Sequence, residues 1–212
     1  MSPNAAERSA AWQVQSLLLG YPDQTLLDRR PLLRQAADAL PKAVGAPLRP
    51  LLNHLDDTAP LTLATEYVDT FDHRKRFSPY LTYFLYGDTR KRGMALLRFK
   101  QVYRAAGLVL ADEELPDHLA VLLEFAAAHA EAGHRLLVEY RAGVELMRLG
   151  LRDAESPWAG VLDSVGATLP PMHGSDRDAV IRLIAEGPAE EEVGLEPFAP
   201  PAYMPEPRGG RR

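Results

Sequence analysis

The sequence predicts an all-α protein, a single-domain helical bundle of roughly eight to ten helices with a disordered C-terminal tail. Apolar residues recur at helical spacing along most of the chain, and no run alternates apolar and polar residues as a strand would. Prolines and glycines divide this pattern into short segments. A chain of 212 residues that is 46% apolar can bury one sizeable core, so a single domain is expected.

The first third of the chain predicts a series of short helices. One contains Trp12 and stops at Gly20, and Asp23 is a candidate cap for the next, which Pro31 restarts. Another helix follows Pro47. The helix after it carries an apolar stripe at i, i+3, i+4 and i+7, formed by Ala64, Tyr67, Val68 and Phe71.

The middle of the chain is marked by clear start and stop signals. Ser78 and Pro79 have the form of an N-cap followed by proline at the first helical position, and Gly87 ends that short helix. Asp88 is expected to cap the next helix, which runs to Gly107. The following helix begins just after Pro116.

The last third continues the helical pattern and then changes character. Ser156 and Pro157 open one helix, and Ser175 or Asp176 caps the last one. From residue 188 the chain is rich in proline, glycine and acid, which predicts a flexible tail. We therefore expect a helical domain over residues 1–187, with a hinge near 111–118, and a tail over 188–212.

Composition excludes several classes of protein. Cysteine is absent, which rules out disulfides and thiolate-bound metals. No G-x-S-x-G, Walker A, G-x-G-x-x-G or H-E-x-x-H motif is present, so no catalytic residue is predicted. The N-terminus has no signal-peptide pattern and no apolar run approaches 18 residues, so we expect a cytoplasmic protein.

Charge is distributed unevenly along the chain. Residues 74–104 carry nine Lys/Arg and one acid, a net charge of +8, whereas the whole chain carries −5. A basic stripe among aromatics is one form of nucleic-acid surface, and a nucleic-acid-binding helical protein is one alternative function. The strong acidity of the remaining chain favours acidic neighbours or solvent as the partners of these cations.

The most distinctive run extends from residue 67 to residue 97. It interleaves seven aromatic residues with two tribasic clusters, residues 74–76 and 90–92, around a turn at Gly87. With the later stretch EELPDHL at 113–119, it closely resembles the nitrate reductase assembly chaperones of the NarJ/NarW type, within the family of chaperones for molybdenum oxidoreductases. The stretch at 113–119 is similar to that family's Pro-Asp-His hinge motif.

The resemblance implies an all-helical cytoplasmic chaperone that is not an enzyme and carries no cofactor. The implied partner is the catalytic (alpha) subunit of a respiratory nitrate reductase, bound through its N-terminal, twin-arginine-like segment and its body. The chaperone would keep the apoenzyme competent for molybdenum cofactor insertion before membrane docking. Molybdenum cofactor delivery proteins are further candidate partners, and we expect neither nucleic acid binding nor direct membrane insertion.

Candidate site residues follow from the aromatic density and the acidic hinge. The hinge acids, including Asp117 with an exposed side chain, are expected to accept bonds from a basic peptide. The basic residues at 90–92 lie where the helix dipole disfavours them, so they serve client contact or stack on tyrosines and pair with Asp69 or Asp72. The predicted peptide-binding residues are Tyr67, Phe71, Tyr80, Tyr83, Tyr86, Glu114, Asp117 and His118; those for client contact or structure are Asp88, Arg90 and Arg92.

Two further hypotheses remain open. A helical-bundle metalloenzyme would use Glu124, His129, Glu131 and His134 on one continuous helix, although a dimetal site needs a second Glu-x-x-His. No metal ligand is therefore predicted. In the tail, an apolar island at residues 193–198 is hypothesised to dock in or beside the client groove and to compete with the client.

Overall fold

The computed structural model describes residues 3–73, 75–110 and 114–186 of the chain. It confirms an all-α fold, and the predicted tail at 188–212 lies outside the described residues. Two short 3₁₀ turns, Ala46–Leu48 and Lys75–Phe77, accompany the α-helices. In chain order, the helices are α1 (Ala5–Leu18), α2 (Gln24–Asp28), α3 (Arg30–Ala39), α4 (Lys42–Gly45), α5 (Arg49–Asp57), α6 (Pro60–Phe71), α7 (Leu81–Tyr86), α8 (Arg90–Ala105), α9 (Leu119–Ala128), α10 (Ala130–Glu139), α11 (Arg141–Asp153), α12 (Ala159–Thr168) and α13 (Gly174–Glu186).

Helices α1 and α11 organise the packing. Helix α1 lies against α9 and α12, whereas α11 contacts α7, α12 and α13. The interior is filled by large side chains that are almost fully buried, including Trp12, Trp158, Phe77 and Phe99. One hydrophobic core therefore runs from the first helix to α12, as expected for a single domain.

Polar side chains inside this core are paired across the two ends of the chain. The indole Nε1 of Trp12 donates to Thr168 Oγ1 at 2.9 Å, and Gln15 Nε2 donates to Ser164 Oγ at 2.8 Å. Ser164 in turn donates to the carbonyl oxygen of Val44 at 2.7 Å. Because buried polar groups are costly when unpaired, these bonds fix the position of α1 on α12.

Helices α9 and α10 approach closely at a glycine. A Cβ atom placed on Gly133 would overlap the backbone and side chain of Ala126 on α9. By contrast, Gly93 on α8 has open space where a Cβ atom would stand. Gly133 is therefore required by packing, and Gly93 is not.

The described residues form thirteen α-helices, more than the eight to ten expected. Several predicted helices are interrupted, most clearly at His129, whose backbone lies at φ −126° and ψ 65° between α9 and α10. A second interruption at Tyr140 separates α10 from α11. The expectation of one continuous helix through residues 124–134 is therefore wrong.

Several predicted helix starts are displaced, among them those of α12, which begins at Ala159, and α13, which begins at Gly174. Two further displacements have an identifiable cause. Helix α7 begins at Leu81 rather than at Pro79, because residues 79–81 pair with the hinge instead. Helix α8 has Thr89, not Asp88, as its N-cap residue. Both shifts come from contacts that are distant in sequence or from side-chain pairing, which local propensity does not encode.

No helix within the described ranges is long and apolar enough to cross a membrane. The division into a domain over 1–187 and a tail remains a prediction.

Candidate functional site

The hinge residues 114–118 are fastened to the start of α7. Tyr80 and His118 form an antiparallel bridge, with the Leu81 amide donating to the Asp117 carbonyl at 3.1 Å and the Leu119 amide donating to the Pro79 carbonyl at 2.8 Å. From α8, the Tyr103 hydroxyl donates to the Pro116 carbonyl at 2.7 Å. Burial raises the pKa of Tyr103, so this hydroxyl keeps its proton.

Asp117 is buried, and the expectation of an exposed side chain is wrong. Its side chain is 0% exposed, and Oδ2 accepts bonds from the Thr82 amide at 3.1 Å and the Thr82 hydroxyl at 2.5 Å. Thr82 lies in the first turn of α7, where free amides and the helix dipole favour a carboxylate. Asp117 therefore acts as an N-cap supplied from a distant segment. Because its side chain is fully buried, a bound peptide cannot contact it.

His118 is held neutral by its surroundings. Burial lowers its pKa from the ordinary 6.5 to about 4. Its Nδ1 accepts a bond from the Ala120 amide at 3.2 Å, which caps α9 and leaves Nε2 to carry the proton. The Tyr80 ring meets the imidazole edge-on, with centroids 5.3 Å apart.

A cavity of about 410 Å³, here called the hinge pocket, lies between the end of α1, α2, α6 and the start of α9. Three carboxylates, Asp23, Glu114 and Glu124, line it together with one guanidinium, that of Arg29. A cation is favoured at such a rim. The remaining lining residues are Ser16, Leu17, Gly20, Tyr21, Thr25, Leu26, Tyr67, His118, Ala120 and Val121.

The aromatic wall of the hinge pocket is held by a hydrogen bond and by ring contacts. The Tyr67 hydroxyl donates to the Leu19 carbonyl at 3.0 Å, and its ring meets those of Tyr21 and Trp158 edge-on. Burial raises the pKa of Tyr67, and the negative charge of Asp72 raises it further. Tyr21 is 50% exposed, so it is the ring that an incoming ligand can reach.

The structure divides the predicted peptide-binding residues into separate groups. Tyr67, Glu114 and His118 line the hinge pocket. Tyr80 packs beside it on His118. Phe71 is buried against Tyr67 and Trp158, and Tyr86 is partly buried against the core.

Tyr83 lines a different cavity, of about 480 Å³, here called the α13 pocket. It lies between α7, α11 and α13, and its walls are mostly apolar. Tyr83 therefore does not share a cavity with Tyr67, Glu114 and His118. The full lining is Arg76, Tyr83, Phe84, Leu146, Leu149, Gly150, Asp153, Leu183 and Ile184.

The second basic cluster is partly turned inward. The guanidinium carbon of Arg92 lies 5.9 Å from the Tyr80 ring centroid and 5.8 Å from that of Tyr83, which confirms the predicted stacking. Its ion-pair partner is Asp88, at 2.7 Å, rather than Asp69 or Asp72. Arg90 is exposed on the first turn of α8.

The residues of the hypothetical metal site have other contacts. His129 stacks on Phe125 with centroids 5.1 Å apart, and Glu131 pairs with Arg135 at 2.5 Å. His134 lies beside Trp12. Across the described ranges, no group of three or more His, Asp or Glu side chains is placed to hold a metal ion.

Sequence reasoning missed part of the hinge pocket. Asp23 was interpreted only as a helix cap, a role it also fills by accepting from the Leu26 amide at 2.8 Å. Glu124 was considered only as a metal ligand. The turn after α1 meets the start of α9 only through tertiary packing across about a hundred residues, and no local pattern signals such a contact.

His118 should make the stability of the fold depend on pH. Because its pKa in the fold is below that of the unfolded chain, the unfolded state binds more protons as the pH falls from about 6.5 to about 4, and stability is lost over that interval. The loss is roughly 2–4 kcal/mol when complete. His118→Asn keeps a capping side chain but cannot titrate in this range. The free energy of unfolding of this variant, measured by urea unfolding at a series of pH values, should therefore depend less steeply on pH. The exposed His173→Asn is the control, and an equal slope in all three proteins would contradict the assignment.

The helical arrangement has a counterpart among solved structures. A crystal structure described as a putative redox enzyme maturation protein from Archaeoglobus fulgidus matches with a TM-score of 0.57, covering 79% of this chain and 94% of that one. At 23% sequence identity the likeness establishes the fold alone. This chain and that protein therefore share a helical fold.

Sequence comparisons identify the family. The family model described as nitrate reductase delta subunit matches residues 37–163. A Bacillus subtilis protein described as a probable nitrate reductase molybdenum cofactor assembly chaperone NarJ is 34% identical over 172 residues, covering 78% of this chain and 91% of that protein. The chain belongs to the nitrate reductase delta subunit family, and the predicted resemblance to the nitrate reductase assembly chaperones is confirmed.

A second relative is considerably longer. The Mycobacterium tuberculosis protein described as nitrate reductase-like protein NarX is 41% identical over 162 residues, which cover 74% of this chain but 24% of the relative. The chain therefore spans about a quarter of the length of that protein.

Proposed function

We propose that this protein is a cytoplasmic chaperone of nitrate reductase that binds the apo catalytic subunit and promotes insertion of its molybdenum cofactor before membrane docking. Family membership supports the general role, since the Bacillus subtilis relative is described as such a chaperone. Binding and shielding of an apoprotein need no covalent chemistry. Relatives described as assembly chaperones or maturation proteins agree with a non-enzymatic role.

The hinge pocket is the site that we propose for the client's N-terminal segment. The observation that carries this proposal is the combination of an aromatic wall at Tyr21 and Tyr67 with three carboxylates at the rim. A peptide can bury its apolar side chains against this wall, and its arginines can pair with Asp23, Glu114 or Glu124. The cavity volume of about 410 Å³ lies in the range of about 300–1,000 Å³ that is typical of ligand pockets.

Within this proposal, Asp117 and His118 have different roles from Glu114. Asp117 holds α7 and the hinge together and does not contact the peptide. His118 is neutral near pH 7 and presents a hydrogen-bond donor and an aromatic surface rather than a charge. Glu114 is the exposed hinge acid that can pair with a cation.

Calorimetry with a synthetic peptide from the N-terminus of the nitrate reductase catalytic subunit tests the proposal. We expect binding with a negative heat-capacity change, because apolar surface is buried. Glu114→Gln should weaken binding about tenfold or more, since a hydrogen bond to a charged group is worth roughly 1.5–3 kcal/mol. Glu131→Gln, on an acid outside the pocket whose side chain is 90% exposed, should leave the affinity unchanged.

The possible results separate the function from the site. No heat at high peptide concentration, together with no complex formed with the purified apo catalytic subunit, contradicts the proposed function. Binding that is equally strong in Glu114→Gln and Glu131→Gln contradicts only the assignment to the hinge pocket.

A further inference from the structure

The α13 pocket is a second binding cavity that the proposed client site does not use. Its volume of about 480 Å³ is that of a ligand pocket, and its walls include Phe84, Leu146, Leu149 and Leu183. At the rim, Arg76 and Asp153 pair with each other at 2.6 Å, so the rim carries opposite charges that offset one another. An occupant is therefore selected by its apolar side chains rather than by its charge.

Apolar side chains remain exposed around this pocket. Leu149 on α11 is 39% exposed, and Ile184 and Ile181 on α13 are 60% and 62% exposed. Exposed apolar side chains grouped around a cavity are typical of a docking surface. Gly150 also lines the pocket, and a Cβ atom at this position would be crowded by the Arg76 carbonyl oxygen and the Phe77 ring.

The position of the pocket in the chain suggests what covers it. Helix α13 is the last described element and ends at Glu186, two residues after the pocket residue Ile184. The residues after Glu186 therefore continue from a point close to the pocket wall. Leu195 follows Ile184 by eleven residues, and an extended chain of that length spans up to about 40 Å.

We propose that the apolar island of the tail, residues 193–198, occupies the α13 pocket of its own chain. Leu195 and Phe198 supply apolar side chains that can pack against the apolar walls of the pocket. A short flexible linker gives an effective concentration on the order of millimolar, so even a weak contact is populated. This inference is independent of the proposed function, because it requires no client.

Charge distinguishes the α13 pocket from the hinge pocket as the docking place. The tail carries Glu190, Glu191, Glu192 and Glu196 in or beside the island. The three carboxylates of the hinge pocket repel such a segment, whereas the paired rim of the α13 pocket does not. The tail therefore covers the α13 pocket and leaves the hinge pocket open to a basic peptide.

Photo-cross-linking in the full-length chain tests this proposal. A photoreactive phenylalanine analogue in place of Phe198 should form intramolecular cross-links, at low micromolar protein concentration, to Leu146, Leu149 or Leu183. Leu149→Glu, at a partly exposed wall position, should reduce the yield at least fivefold. Leu61→Glu, at an 80% exposed leucine on α6, is the control and should leave the yield unchanged. Circular dichroism verifies that both variants remain helical.

Three results would overturn the proposal. These are cross-links to hinge-pocket residues, cross-links that join two chains, and a yield that responds equally to Leu149→Glu and Leu61→Glu. The same analogue in place of Tyr203 should cross-link less efficiently to the pocket, because the proposal assigns the contact to residues 193–198 alone.

Discussion

Replacing Asp117 with alanine is expected to lower the free energy of unfolding by about 3 kcal/mol. The Thr82 amide and hydroxyl, both bonded to Asp117 Oδ2, would lose their acceptor in a site without solvent. Asp117→Asn keeps one acceptor oxygen and should cost about 1 kcal/mol. The matched control is Asp57→Ala, at an exposed acid at the end of α5, which should change stability by no more than ~0.5 kcal/mol.

Chemical denaturation of the single and double variants would measure the contact itself. Asp117→Ala and Thr82→Val should be strongly non-additive, with a coupling of roughly 1–3 kcal/mol, because each removes one side of the same bond. Additive effects would contradict the capping role. Any loss of peptide affinity in Asp117→Ala should follow from displacement of Glu114 and His118, since Asp117 has no exposed surface of its own.

Replacing Gly133 with alanine is expected to destabilise the fold by about 3 kcal/mol. The added methyl group would overlap Ala126, and α9 and α10 could separate only by disturbing the core that positions His118 and Glu124. Thermal unfolding should show a decrease in melting temperature of roughly 6–12 °C for a chain of this size.

Gly93→Ala provides a control of opposite sign. Gly93 lies within α8 with nothing near its missing Cβ atom, so alanine there should stabilise the protein by about 0.5–1 kcal/mol through helix propensity. If Gly133→Ala and Gly93→Ala change stability equally, the close approach of α9 and α10 is not the reason why position 133 requires glycine.

The sequence predicted the fold class because helical periodicity and proline or glycine punctuation are local signals. The aromatic density and the acidic hinge also placed Tyr67, Glu114 and His118 in one candidate site, and these three residues do line one cavity. It misjudged Asp117, because the helix start that this carboxylate caps lies 35 residues away. A serine followed by proline, as at Ser78 and Pro79, is a local signal, whereas an acceptor supplied by a distant segment is not.

The same limit explains the separation of the tyrosines. Tyr80 and Tyr83 belong to one dense aromatic run and were therefore assigned to one groove. The bridge between Tyr80 and His118 places Tyr80 at the hinge, and the short helix that follows turns Tyr83 toward α11. Only the observed pairing of residues 79–81 with 117–119 distinguishes the two positions.

The bridge between Tyr80 and His118 also affects the order in which the chain can fold. Helix α7 has six residues, too few to persist alone in water, and acceptors from Asp117 satisfy the amides of Leu81 and Thr82 in its first turn. Nucleation of α7 must therefore wait until the chain has closed a loop of more than thirty residues, so its formation is a late, non-local event. In the native protein, the amides of Leu81, Thr82 and Leu119 should exchange with solvent as one cooperative unit, because opening the hinge exposes all three together.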